Sequence, residues 1–233
     1  MRGILGKPSL CLDDHIDLKA LSLIEAEIAH WVDSTYLDPK KGWHSVQYRR
    51  HNLYYKQGEL VKGFYQDHPR YQEWRYRPVE NTSIQDGCAF TIRSPANFGK
   101  KHIAELCVDR SFQKEFPILM EFARNLPMKH IGRIVIFVAK PGEPGIVHSD
   151  FFDSNQPCDA EFIWFRTNMD KRFFIIDDAT EERHYLEGNT ALFNTADYHG
   201  TEVAEKLAFS IRVDGYLSDW VKQQIGLDKL TSW

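Results

Sequence analysis

His148-Ser149-Asp150 sets two metal-ligating side chains one residue apart. On a strand, alternation turns His148 and Asp150 to one face and Ser149 to the other. A lone His-x-Asp is common and carries little weight. Its meaning changes with His199, which lies at the start of a later strand candidate that a jelly roll would return beside the first pair. Two imidazoles and a carboxylate can occupy one face of a metal octahedron, which suits Fe(II) and leaves the opposite face open to ligands and oxygen. Zinc would favour a closed tetrahedron.

Arg212 follows on the last strand candidate, with Ser210 two residues earlier on the same face. An inward arginine in a barrel is costly without an anion. A carboxylate-bearing ligand would match its planar fork, and the Ser210 hydroxyl can add a hydrogen bond. An internal ion pair with Asp214 or Glu202 satisfies the same arginine, and the residues leave both readings open.

Arg166 competes for the role, since it shares a strand face with Trp164 and can meet either a substrate or a ligand carboxylate. Trp164 and Tyr198 are the inward aromatic candidates for a substrate wall. Residues 43–77 are dense in aromatic and basic side chains, among them Trp43, His44, Arg49, Arg50 and Tyr55. Arg49 and Arg50 are candidate substrate contacts. An RNA-stacking surface would have the same composition, but strand and loop structure whose rings pack under guanidinium groups is the commoner outcome. His184 follows the charged run 181–183 and reads as exposed or satisfied. Asp153 lies too far beyond Asp150 to replace it, and His102 and His130 are isolated.

These residues need a scaffold, and the pattern from residue 131 onward supplies one. Eight strand candidates, at 131–139, 146–151, 161–167, 172–176, 183–186, 190–194, 199–203 and 207–215, are separated by turn residues such as those of 140–145 and Glu187-Gly188-Asn189. Such spacing predicts a sandwich or jelly roll. Upstream, helices dominate the reading. Asp17 caps a helix whose apolar stripe is Leu18, Leu21, Leu23, Ile24, Ile28 and Trp31. A second helix is expected over 110–126, with Phe112, Phe116, Leu119, Met120, Phe122 and Ala123 buried. A short helix closes the chain near 218–225. The expected organisation is one domain: a helical and mixed support over 1–130, a catalytic core over 131–217, and a C-terminal helix within 218–233.

The 233 residues are 42% hydrophobic and 27% charged, enough for a core and unlike a disordered chain. Net charge is −4 with Lys and Arg scattered, which weighs against a nucleic-acid or anionic-membrane binder. The apolar runs fall short of a membrane span, and the N-terminus lacks the apolar stretch of a secretory signal. A cytoplasmic protein is expected. Cys11, Cys88, Cys107 and Cys158 stand far apart, which fits reduced thiols better than a zinc cluster or disulfide scaffold.

His148-x-Asp150, His199 and Arg212 on eight strands together resemble the Fe(II)- and 2-oxoglutarate-dependent dioxygenases of the double-stranded β-helix fold. The stretch 187–201, followed by Ser210-Ile-Arg-Val-Asp214, is most similar to the aspartyl/asparaginyl β-hydroxylase and free-proline hydroxylase group. The resemblance covers residues 131–215. It implies a mainly β fold with helical N-terminal support and a jelly-roll core. It also implies Fe(II) held by His148, Asp150 and His199, O2 as oxidant, and 2-oxoglutarate as co-substrate with its far carboxylate on Arg212. Hydroxylation of a small carboxylated substrate, such as an amino acid, is the activity implied first. Asp150 disfavours halogenation, whereas desaturation and ring closure stay open. The rival readings are an oxygenase acting on a protein, peptide or RNA residue, and a non-catalytic cupin-like binding module. Arg212 weighs against the latter, which would not need it. Oligomeric state is not legible.

Overall fold

The computed structural model describes residues 1–35, 52–56, 59–63, 84–85, 89–95, 101–109, 113–139, 147, 149 and 161–229. Its centre is β13 (Ala208–Leu217), which pairs antiparallel with β7 (Met128–Ala139) on one side and β8 (Glu161–Arg166) on the other. Beyond β8 come β11 (Thr190–Phe193) and then β1 (Ser9–Cys11); beyond β7 come β5 (Ala89–Pro95) and β4 (Ile84–Gln85). A smaller sheet sets β9 (Phe173–Ile176) between β10 (Arg183–Tyr185) and β12 (His199–Thr201).

From β8 onward the chain alternates between sheets: β8 in the large one, β9 and β10 in the small, β11 in the large, β12 in the small, β13 in the large. That winding, with core order β11-β8-β13-β7, is the double-stranded β-helix, and the fold is mainly β. Of 146–151, only Val147 and Ser149 are described, and neither is assigned to a strand. The remaining strand expectations agree with the observed ranges to within two or three residues at each end.

Both faces of the central strands are buried, for different reasons. Register places Phe209, Ile211 and Val213 beside Phe165, Ile163, Ile134 and Ile136 on one face, an all-apolar surface. Helix α2 (Pro117–Arg124) packs there, with Phe122 against Phe165 at 4.9 Å between ring centroids. The other face carries Ser210, Arg212 and Asp214 across from Arg166, Trp164 and Phe162. It looks toward the small sheet, since Trp164 meets Phe173 at 4.8 Å.

The upstream expectation needs correction. Before residue 128 the described chain contains β1, β4, β5, the hairpin of β2 (Asn52–Lys56) and β3 (Glu59–Gly63), and β6 (Cys107–Asp109) beside two α-helices. β1, β4 and β6 are only two or three residues long, so alternation has little length in which to show, while the β2–β3 hairpin falls within 43–77, where strand and loop structure is expected. Helix α1 (Leu21–Thr35) buries Leu21, Ile24, Ile28 and Val32, while Leu23, expected in that stripe, is 56% exposed. Leu23 sits one position, and so about 100°, off the buried row. Asp17 caps the 3-10 turn (Leu18–Ala20) that leads into α1 by accepting from the Lys19 N–H at 3.1 Å. The helix expected over 110–126 starts only at Pro117, because the residue before a proline avoids helical geometry and Phe116 sits at φ −121°, ψ 54°. Glu27 of α1 then serves as the missing cap, its two carboxylate oxygens accepting from the N–H groups of Ile118 and Leu119 at 2.9 and 3.0 Å. Helix α3 (Asp219–Ile225) follows β13 and is stopped by Gly226 in the left-handed region at φ 78°, after which a 3-10 turn runs over Leu227–Lys229.

Asp13 ties the N-terminal segment to the core, accepting from the N–H groups of Asn189 and Thr190 and the Thr190 hydroxyl at 2.6–2.9 Å. Among the described residues no helix is long and apolar enough to cross a membrane. Cys11 and Cys107 are free thiols, raised by burial above the usual thiol pKa.

Candidate functional site

His199 opens β12 and pairs in register with Ile175 of β9, which turns its ring into the space between the sheets. It is 5% exposed, stacked on Phe173 at 5.7 Å and tilted against Phe193 at 5.2 Å. The turn before it is closely held. The Asn194 carbonyl accepts from the Asp197 N–H and the Asn194 side chain from the Ala196 N–H, while the Asp197 carboxylate accepts from the N–H groups of Arg2 and Gly3 at 2.5 and 2.7 Å. The Asp197 carbonyl so fixed lies 2.8 Å from His199 Nδ1. A carbonyl only accepts, so Nδ1 carries the proton and the lone pair of the neutral ring is on Nε2. Metal-binding histidines are oriented in this manner.

Ser149 brings the other half of the motif close. Its hydroxyl donates to the Ala196 carbonyl at 2.9 Å, so the chain at 149 runs beside the turn that positions His199. His148 and Asp150 lie outside the described residues, as do Arg49, Arg50 and Asp153. Among the described residues no three histidine, cysteine or carboxylate groups converge as a metal site. With Nδ1 engaged by the Asp197 carbonyl, the lone pair of the neutral His199 ring lies on Nε2.

Arg212 lies in the same interior. Its guanidinium covers Phe162 at 4.1 Å, Phe162 meets Phe193 edge-on at 5.0 Å, and Phe193 touches His199. A row of rings thus joins the histidine to the arginine. The ion pair that the residues left open is formed: Arg212 Nε meets Asp214 Oδ1 at 2.8 Å, and Arg133 Nε meets Asp214 Oδ2 at 2.7 Å. Asp214 is completely buried. Burial alone would raise its pKa, but the guanidinium groups of Arg133 and Arg212 outweigh that and hold it below the ordinary carboxylate value. Glu202, the other partner weighed for Arg212, instead accepts from Arg183 and Tyr185 at 2.7 and 2.5 Å.

Beside the cluster, the register of β13 against β7 breaks between Val213 and Gly215. Two glycines allow the close approach: a Cβ at Gly215 would lie 2.0 Å from the His130 carbonyl oxygen, and one at Gly132 would lie 2.1 Å from that of Lys101. Irregularities of this kind re-aim side chains beside sites.

The other expected residues divide. Trp164 is buried across from Arg212 in register, against Phe173. Ser210 is buried two residues before Arg212 on the same face, and Tyr198 is buried on the approach to β12. Arg166 has a different task. Its Nη1 donates to the Lys171 carbonyl at 2.9 Å, and its Nη2 to those of Leu186 and Gly188 at 2.8 and 2.7 Å, so it closes two turns of the barrel. Desolvation lowers its pKa from the usual arginine value. Sequence reasoning missed Arg133, whose signal was a lone arginine at the head of the apolar run 134–139. It missed Asp197 too, because a backbone carbonyl leaves no trace in composition.

The interior that results is that of a double-stranded β-helix in which, among the described residues, the buried His199 is joined to the ion-paired Arg212 through the rings of Phe193 and Phe162. No protein-family model matches the chain, and no curated protein sequence does. Among solved structures the chain is similar to AviO1 from Streptomyces viridochromogenes Tue57, at 10% identity over 91% of this chain and 87% of that one, TM-score 0.41. It is also similar to EvdMO1, at 9% identity over 85% of this chain and 44% of that one, TM-score 0.38. A further likeness is to the viral collagen prolyl hydroxylase of Paramecium Bursaria Chlorella virus-1, at 12% identity over 44% of this chain and 64% of that one, TM-score 0.25. The fold assignment rests on the strand order itself.

Proposed function

We propose that this protein is an Fe(II)- and 2-oxoglutarate-dependent dioxygenase that hydroxylates a C–H bond of a small carboxylated substrate such as an amino acid. The observation that carries the reading is the shared interior of His199 and Arg212, with His199 oriented through Nδ1 so that Nε2 is its ligating nitrogen. His148, Asp150 and His199 would hold the iron, in the facial set that leaves positions for co-substrate and oxygen. When bound, iron with 2-oxoglutarate and O2 supplies an oxidant strong enough for an unactivated C–H bond, with succinate and CO2 as co-products.

The chain's own residues do the remaining work. Arg212 offers a guanidinium for a carboxylate deep in the barrel, held in place by Asp214. Phe162, Phe173, Phe193 and Trp164 line the path between His199 and Arg212 and keep water from it. The Asp197 carbonyl keeps the His199 ring from rotating.

The test combines binding with turnover. Anaerobic titration of the purified protein should show Fe(II)-dependent binding of 2-oxoglutarate, and a panel of amino acids and related acids should include one that couples succinate release to a hydroxylated product. His199→Ala should lose iron and activity together. Arg212→Ala leaves Asp214 paired with Arg133, so the fold should survive while the 2-oxoglutarate requirement rises roughly 30- to 1000-fold. Full metal content and activity in His199→Ala would overturn the reading. Stimulation of succinate release by RNA or a folded protein, and by no small acid, would overturn the substrate class alone.

A further inference from the structure

Arg212 does not reach its position unaided. Its Nε is tied to Asp214 Oδ1, the opposite oxygen of the same carboxylate is tied to Arg133 Nε, and all three side chains are almost wholly buried. Asp214 is two residues from Arg212 on the same face of β13, and Arg133 belongs to the neighbouring β7. One carboxylate therefore fastens the Arg212 head to a second strand. Phe162 lies under the guanidinium at 4.1 Å from its central carbon and limits its movement on that side. A guanidinium gripped at Nε from one side and stacked on a ring has lost its rotations about the last bonds of the chain, and its Nη edge has one direction left.

We infer that Asp214, braced by Arg133, is a positioning residue that aims the Arg212 guanidinium at the far carboxylate of the co-substrate. The inference rests on the co-substrate reading above and adds to it which residues give the anchor its direction. Its chemistry separates two roles for Asp214. If the carboxylate merely neutralised buried charge, any carboxylate there would do. If it positions, moving the carboxylate by one methylene misdirects Arg212 although the charge is kept. The misdirection should be felt only by ligands that carry a far carboxylate.

The experiment compares 2-oxoglutarate with 2-oxopentanoate, which has the same chain and keto-acid end and lacks the far carboxylate. Binding of each to the anaerobic Fe(II)-loaded protein is measured by calorimetry for wild type, Asp214→Asn and Asp214→Glu, with circular dichroism to check folding. The wild type should prefer 2-oxoglutarate. Both variants should lose about tenfold or more of that preference while binding 2-oxopentanoate nearly as the wild type does. Asp214→Asn removes the charge between two arginines and is the variant at risk of misfolding; Asp214→Glu keeps the charge and decides the matter without it. An unchanged preference in folded Asp214→Glu, or equal weakening of both ligands, would overturn the positioning role. A wild type that does not prefer 2-oxoglutarate would instead overturn the co-substrate reading, and this inference with it.

Discussion

Replacing Asp214 by alanine removes the carboxylate shared by Arg133 and Arg212 and leaves two guanidinium groups facing each other in the barrel. The Asp214 side chain has no exposed surface, and those of Arg133 and Arg212 are 7% and 6% exposed, so water does not compensate. Removing one partner of a buried pair costs about 3–5 kcal/mol, most of it the burden of the uncompensated charge. That is a large share of the roughly 5–15 kcal/mol that stabilises a typical protein. With a urea slope of about 2.5 kcal/mol per molar, the unfolding midpoint should fall by about 1.2–2 M at unchanged slope. Arg212→Met leaves Arg133 and Asp214 paired one to one and should cost less. The dependence on pH has a definite sign. Because the folded carboxyl is held below its ordinary value of 3.8, its stabilisation is fully present above that pH and is lost as pH falls through the lower folded value. The gap between wild type and Asp214→Ala should therefore be constant from pH 7 to about 4 and narrow below it. The assay is urea unfolding followed by tryptophan fluorescence across that range. A loss under about 1 kcal/mol for Asp214→Ala, or a greater loss for Arg212→Met, would refute the account.

Arg166→Met strands the Lys171, Leu186 and Gly188 carbonyls inside the barrel and should lower the melting temperature by about 10 °C in calorimetry. Glu27→Ala removes the cap from α2 and should cost about 1–2 kcal/mol in urea unfolding, with Glu27→Gln intermediate. Gly215→Ala forces a carbon within 2.0 Å of the His130 oxygen, whereas a Cβ at Gly6 meets nothing within 4 Å and only the left-handed φ of 75° resists it. Melting should therefore show Gly215→Ala far the worse, with Gly6→Ala costing about 1 kcal/mol.

Residues 131–215 carried their fold in the open. Runs such as Ile134–Val138 and Phe162–Phe165 are apolar on both faces, turn residues divide them at regular intervals, and a chain so punctuated has few ways to bury its strands. Arg212 stood out there as a charge between Ile211 and Val213, and His199 as the imidazole opening the strand that a jelly roll returns beside His148-x-Asp150. The hairpin of β2 and β3 lies within 43–77, where strand and loop structure was the commoner expectation, but β1 was not legible, since it is only three residues long and gains its hydrogen bonds from β11, far along the chain. Local pattern also named both Asp214 and Glu202 as partners for Arg212 and had no means of choosing. The choice was made by register, which sets Asp214 inside beside Arg133 and leaves Glu202 at the surface with Arg183. The same holds for Arg166, which composition offered as a ligand contact and which packing spends on three carbonyls. Alternation along one strand tells which side a residue faces. What that side contains is supplied by other strands, and only the tertiary structure brings them there.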